Sequence, residues 1–288
     1  MIRRLTLSLT IIVIFLYGCA GIQIEDISGN MDMISKSVRA ASKAIRPISD
    51  KEEYYVGRAV AAKLLSVYPL LRNRRLTEYV NYVGRTVAMH SDKPFTFGGY
   101  HFAILDSNEV NAFACPGGII FITKGLIGAV RNEDELAAVL AHEVAHVNHR
   151  DGISAIKKAR WTEAVTIIGA TAAKRYGSHD IARLVTLFEG SIDDVFRTLV
   201  VNGYGQRQEY NADKTALIYL ARSGYDPSAL KDFLARLITG GNASGGGILK
   251  THPATVDRLR NVEENMPSKK MDKFLIKLRT QRFRGATG

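Results

Sequence analysis

His142 and His146 stand four residues apart, and Glu143 directly follows the first of them. On an α-helix a spacing of four turns the second side chain about 40° from the first and lifts it roughly 6 Å. Two imidazoles so placed can hold one metal ion. A carboxylate beside them can take a proton from a water on that ion, which is the chemistry of metal-assisted hydrolysis. A catalytic zinc uses three protein ligands and keeps a fourth position open. The H-E-x-x-H pattern therefore needs a helix to carry it and a third donor from elsewhere.

The helix is legible. Asn132 is a cap, and Glu133, Asp134 and Glu135 put acids in the first turn. Ala137, Ala138, Ala141 and Ala145 keep its flanks slim, and it ends near Asp151-Gly152. For the third donor, a metzincin continuation would need a glycine three residues after His146 and a histidine three beyond that. His149 and Gly152 occupy those places, which excludes that class. The downstream glutamates are Glu163, Glu189, Glu209, Glu263 and Glu264. Glu209 stands out because Asp213 follows four residues later, on the same helical face. Glu209 can bind the metal while Asp213 accepts a proton from a ligand imidazole and fixes its tautomer. A solvated acidic face is the plain alternative, and the His pair weighs against it.

The remaining elements have to position this pair. Ser49-Asp50-Lys51-Glu52 resembles a capping box, followed by Tyr55, Ala59, Ala62 and Leu65 at helical spacing. A second helix is expected from about Leu76 to Met89, with Val80, Val83, Gly84 and Val87 on one face. Tyr100–Leu105, Glu109–Ala114 and Ile119–Thr123 read as strands of a small, largely antiparallel sheet, with Pro116-Gly117-Gly118 as a turn. A short helix begins at Lys124. A long helix from about Ile153 to Arg175 has an apolar core too short to span a bilayer. Residues 178–205 read as interrupted helical pieces, Ile181 to Phe188 and Val195 to Val201, forming a mobile cover over the site. Further helices run from Gln206 to Arg222, stopped by Gly224 and Pro227, then Ala229 to Ile238 and Thr255 to Glu264, with a flexible loop at 240–247. There are no internal repeats. The fold class expected is α+β, mainly α-helical, with a small, mostly antiparallel sheet and a helix that carries the H-E-x-x-H pair.

The 288 residues are 46% hydrophobic and 23% charged, which is ordinary for a globular chain, but the net charge is +11. The basic residues are dispersed and no nucleic-acid-binding signature is present, so nucleic acid is not an expected partner. An anionic membrane surface or envelope fits better. Arg3 and Arg4 precede an apolar run from Leu5 to Tyr17 and then Gly18-Cys19, the layout of a secretory signal. Leu16-Tyr17-Gly18-Cys19 resembles a bacterial lipobox, in which the cysteine is acylated; an ordinary signal with an incidental cysteine is the alternative. Ala20 in place of an aspartate leans towards the outer membrane over the inner one. The expected layout is a signal peptide at 1–18, a tether at 19–48, a metallopeptidase domain at 49–265 and a basic tail at 266–288. With Cys19 acylated, Cys115 is alone, no intrachain disulfide forms, and Cys115 reads as a buried small hydrophobe rather than a nucleophile.

Several stretches together resemble a known family. They are Asn111-Ala112-Phe113-Ala114-Cys115-Pro116-Gly117-Gly118, Glu135 to His146, Glu209 to Asp213, Tyr219 to Pro227, Thr251-His252-Pro253 and Arg258. They are similar to the gluzincin metallopeptidases that include HtpX, the CAAX prenyl proteases and the periplasmic BepA and LoiP proteins. The likeness is nearest to the lipoprotein members and covers roughly residues 50–265. It implies one zinc per chain on His142, His146 and Glu209, with Glu143 as general base and Asp213 in support. It implies that Asn111-Ala112-Phe113 is an edge strand along which a peptide lies extended. It implies that His252 can approach the zinc as a removable fourth ligand. His252 and Arg258 are candidates for the oxyanion donor. His149 reads as a surface or supporting residue. The function expected is an outer-membrane, periplasm-facing lipoprotein protease. It would cut misfolded or unassembled envelope polypeptides. The alternative is a zinc-stabilised chaperone or adaptor that binds such chains without cleavage; Glu143, which structural zinc does not need, argues against it.

Overall fold

The computed structural model describes residues 47–156, 160, 163–164, 178–239, 247–253, 255–268 and 271–288. The signal segment, Cys19 and the tether to Arg46 lie outside the described residues, as does most of the helix expected from Ile153 to Arg175.

The chain enters through α1 (Asp50–Leu65), opened by the capping box the sequence announces: Glu52 N donates to Ser49 Oγ at 3.3 Å and Ser49 N to Glu52 Oε2 at 2.8 Å. Gly57 fixes the rotation of this helix, because a Cβ there would sit 1.8 Å from the Pro116 carbonyl oxygen. The helix consequently buries Val56, Val60, Ala61 and Leu64. That corrects the expected face of Tyr55, Ala59, Ala62 and Leu65: Tyr55 is 48% exposed and Ala62 faces solvent. In α2 (Arg74–Met89) the expected face of Val80, Val83, Gly84 and Val87 is the buried one. There Gly84 lets the Phe102 ring come closer than a side chain would allow.

Three strands follow, β1 (His101–Leu105), β2 (Ala112–Cys115) and β3 (Ile119–Thr123), with a 3₁₀ turn at Pro116–Gly118. Their order is β1-β3-β2. The sheet is mixed. β2 pairs antiparallel with β3, while β1 pairs parallel with β3, His101 opposite Ile119. The chain passes from β1 beyond β3 before turning back, which makes β2 an edge strand. Side chains alternate across the sheet. Ala112, Ala114, Ile120 and Ile122 face one core, and Phe113, Cys115 and Phe121 face another with α1. Cys115 is buried, as expected, and burial pushes its thiol up.

After α3 (Lys124–Ala129) comes the central helix α4 (Glu133–His149), capped by Asn132, whose Oδ1 accepts from Glu135 N at 2.9 Å. The three acids of its first turn are all buried, and each meets an arginine from a distant stretch. Glu133 pairs with Arg282, Asp134 with Arg279 and Glu135 with Arg236. Helix and ladder end at Arg150, which takes a left-handed conformation with φ 59° and turns the chain into α5 (Asp151–Ser154).

Residues 178–205 are not interrupted pieces. One helix, α6 (Ser178–Arg197), runs straight through Gly190 into a π-turn at Thr198–Asn202. The glycine accommodates the Arg160 guanidinium, which would lie 2.2 Å from a Cβ there. The remaining helices are α7 (Gln206–Ser223), α8 (Ser228–Thr239), α9 (Ile248–Thr251), α10 (Val256–Glu264) and α11 (Lys273–Thr287). The basic C-terminal stretch thus folds as a helix, with Phe283 buried in the larger core. Among the described residues no helix is long and apolar enough to cross a membrane.

Candidate metal centre and active site

α4 brings His142 and His146 onto one face, both buried, with their Nε2 atoms 3.0 Å apart. The other nitrogen of each ring meets a carboxylate from a different element. His146 Nδ1 lies 2.7 Å from Asp151 Oδ2. His142 Nδ1 lies 3.0 Å from Asp213 Oδ1, in ion-pair contact but off the ring's hydrogen-bond direction. With Nδ1 of each ring beside a carboxylate, the two Nε2 atoms face each other, the arrangement in which both can turn lone pairs to one shared cation.

Glu209, on the first turn of α7, approaches both rings, 3.4 Å from each Nε2. His252, just after α9, places Nδ1 3.0 Å from Glu209 Oε1 and 3.3 Å from His142 Nε2. One donor atom from each of His142, His146, Glu209 and His252 falls within 4.8 Å of all the others. Imidazole and carboxylate donors in such a cluster are the set that divalent zinc prefers. The electrostatics agree. Burial alone would push the His142 imidazole down, yet Asp213 and Glu209 outweigh it and hold it up at about 10. Burial would raise the Glu209 carboxyl, but His252 and Arg258 hold it well below its usual range.

Arg258, on α10, ties this cluster together. It donates to both oxygens of Asp213 at 2.7 and 2.8 Å, contacts Glu209 Oε2 at 2.7 Å, and donates to the His252 and Pro253 carbonyls at 3.2 Å. Glu143 is the exception to this dense pairing. It is 1% exposed, and neither carboxylate oxygen has a hydrogen-bond partner among the described residues. In the cluster, His252 Nε2 lies 3.7 Å from Glu143 Oε1. An unpaired buried carboxylate is costly, and proteins keep one where chemistry uses it.

The sequence model of Peptidase family M48 matches residues 71–266, a stretch that contains every member of this cluster. The chain belongs to peptidase family M48. Its relatives include the beta-barrel assembly-enhancing protease of Escherichia coli (strain K12), 28% identical over 214 residues, or 74% of this chain and 43% of that one. The putative beta-barrel assembly-enhancing protease of Vibrio cholerae is 32% identical over 74% of this chain and 44% of its own length. The metalloprotease LoiP of Escherichia coli is 26% identical over 67% of this chain and 70% of its own. The chain spans less than half the length of the assembly-enhancing proteases it matches.

Three further residues of this M48 domain support the cluster and escaped the sequence reading. Asp151 takes the His146 ring, and Gln208 Nε2 donates to its other oxygen at 3.1 Å. Tyr204 stacks on the His146 ring with centroids 4.2 Å apart and planes 23° apart. Of the three residues expected to line a substrate, Ala112 and Phe113 lie in β2 at the sheet edge and Asn111 just before it, and all three are buried. Beside it, Ile248 N donates to Val110 O at 2.6 Å and Thr251 Oγ1 to Asn111 Oδ1 at 3.1 Å. His149 stands outside the cluster, its Nε2 at 3.1 Å from Thr215 Oγ1. An apolar pocket lined by Val139, Phe233, Leu234 and Leu237 opens beside His142 and Glu143.

Proposed function

We propose that this chain is a membrane-anchored, periplasmic zinc metalloendopeptidase that cuts misfolded or unassembled envelope proteins. The observation that carries the reading is Glu143, a buried carboxylate left without a hydrogen-bond partner beside a His-His-Glu donor cluster. His142, His146 and Glu209 would hold one zinc. When bound, zinc supplies Lewis acidity to the scissile carbonyl and makes water at the site easier to deprotonate. Glu143 takes the proton from the attacking water and then delivers it to the leaving amine. Asp213 and Asp151 keep the two imidazoles in the tautomer that presents Nε2 to the metal. Arg258 spends its donors on Asp213, Glu209 and two carbonyls, so it is a positioning residue rather than an oxyanion donor. His252 completes a four-member donor set, and an entering substrate has to displace it.

The envelope location rests on the signal-like segment and Cys19. The names of the E. coli relatives, a beta-barrel assembly-enhancing protease among them, support envelope proteins as substrates. The deciding experiment incubates the purified chain with casein and with an unfolded outer-membrane protein, with and without chelator. Wild type should cut and the chelated protein should not. Glu143→Gln should retain zinc and lose cleavage; digestion by that variant at the wild-type rate refutes the assignment. Wild type should incorporate labelled fatty acid in cells and Cys19→Ala should not, and a wild type that takes up no label refutes the lipid anchor.

A further inference from the structure

α11 is a helix with two working faces. The inner one is committed to the fold: Phe283 packs near Tyr79, and Arg279 and Arg282 pair with Asp134 and Glu133. On the outer one, Phe274, Leu275 and Leu278 are 64%, 42% and 44% exposed. Their spacing of i, i+1 and i+4 places them within an arc of roughly 100°. Lys273, Lys277 and Arg284, all exposed, follow at i, i+4 and i+11 and form a stripe alongside that arc. Residues 266–288 hold seven Lys or Arg against one Asp, in a chain of net charge +11. Three large apolar side chains left in water beside a basic stripe are the composition of a helix that lies in a membrane interface.

We propose that the outer face of α11 docks on an anionic lipid surface. Phe274, Leu275 and Leu278 enter the boundary between headgroups and acyl chains, and Lys273, Lys277 and Arg284 meet lipid phosphates while their stems cover the apolar edge. The contact rests on the envelope location proposed above but not on acylation of Cys19. It also orients the domain. α11 is pinned to the first turn of α4, and nine to thirteen residues of helix separate Glu133 from His142 and His146, on the order of 14–20 Å.

The test labels Leu278→Cys with an environment-sensitive fluorophore in full-length Cys19→Ala protein, where Cys115 is buried, and adds vesicles of phosphatidylcholine with or without 30% phosphatidylglycerol. The expected result is a blue shift with the anionic vesicles and none with the neutral ones. The same label at Glu263→Cys, an exposed site on α10, should not shift. Adding Lys273→Glu with Lys277→Glu should weaken the vesicle affinity by on the order of tenfold or more, with an unchanged melting profile showing that the fold is kept. No shift with either vesicle overturns the proposal, as does an equal shift with both. A shift produced by an acidic polypeptide such as polyglutamate, and not by vesicles, overturns it in favour of a protein partner. Because every arm lacks Cys19, these outcomes are independent of whether the lipid anchor exists.

Discussion

Arg258 meets Asp213 fork to fork, Nε to Oδ2 at 2.8 Å and Nη2 to Oδ1 at 2.7 Å, and both residues are buried. Because the same guanidinium also holds Glu209, it sets the spacing between the two carboxylates that approach the His142 ring. Arg258→Met leaves two buried carboxylates without their cation and should weaken zinc affinity by roughly 10- to 100-fold. Arg258→Lys should recover only part of this, since an ammonium cannot make the fork. Chelator competition measures both; a lysine variant equal to wild type would show that charge alone suffices.

Asp151 does for His146 what Asp213 does for His142. Asp151→Ala should cost zinc affinity on the same scale, about 10- to 100-fold. Gln208→Ala, which removes one donor from Asp151 without touching a ring, should cost less. Zinc titration of the two variants ranks them, and equal losses would mean that Asp151 matters only for packing.

Gly57→Ala puts a methyl group against the Pro116 carbonyl at 1.8 Å. Relief requires α1 to move from the turn that ends β2. The expected cost is about 1–3 kcal/mol, read as a melting midpoint lowered by roughly 2–4 °C per kcal/mol. Gly128→Ala has nothing within 4 Å of the new atom and is the control. It should leave the midpoint unchanged or raised.

Glu53 gives a pH dependence of definite sign. Burial raises its carboxyl above the ordinary 4.5, against the pull of Arg150, which lies 2.9 Å away. A carboxyl whose pKa is higher folded than unfolded contributes stability that is full below 4.5 and lost as pH climbs through the folded value. Glu53→Gln removes that titration. Wild-type stability relative to the variant should fall as pH rises above about 4.5, seen in melting midpoints taken across that window. A difference that is flat with pH, or grows, contradicts the assignment.

The centre itself was largely legible because helical spacing is a local rule. His142 with His146, and Glu209 with Asp213, are each four apart, and each pair does share a face. Asp151 was not legible. It is five residues from His146, and only the left-handed turn at Arg150 swings it back to the ring; an arginine carries no sequence signal for that conformation. The buried face of α1 was misread because its rotation is set by one close approach, Gly57 to Pro116, between stretches about sixty residues apart. Gly190 falls in the gap between the two helical pieces expected at 181–188 and 195–201, yet α6 passes through it, and Arg160 takes the space a side chain there would need. The parallel pairing of β1 with β3 is a matter of topology, which strand composition does not encode.

The arginines that neutralise the first turn of α4 have an implication for biogenesis. Glu133 and Asp134 are made about 145 residues before Arg282 and Arg279, the partners that make their burial affordable. A chain emerging N-terminus first therefore carries its H-E-x-x-H segment long before the helix beneath it can settle. The first turn of the helix that carries the cluster is therefore neutralised only once α11 has been made, so the cleft is among the last parts of the fold to be completed.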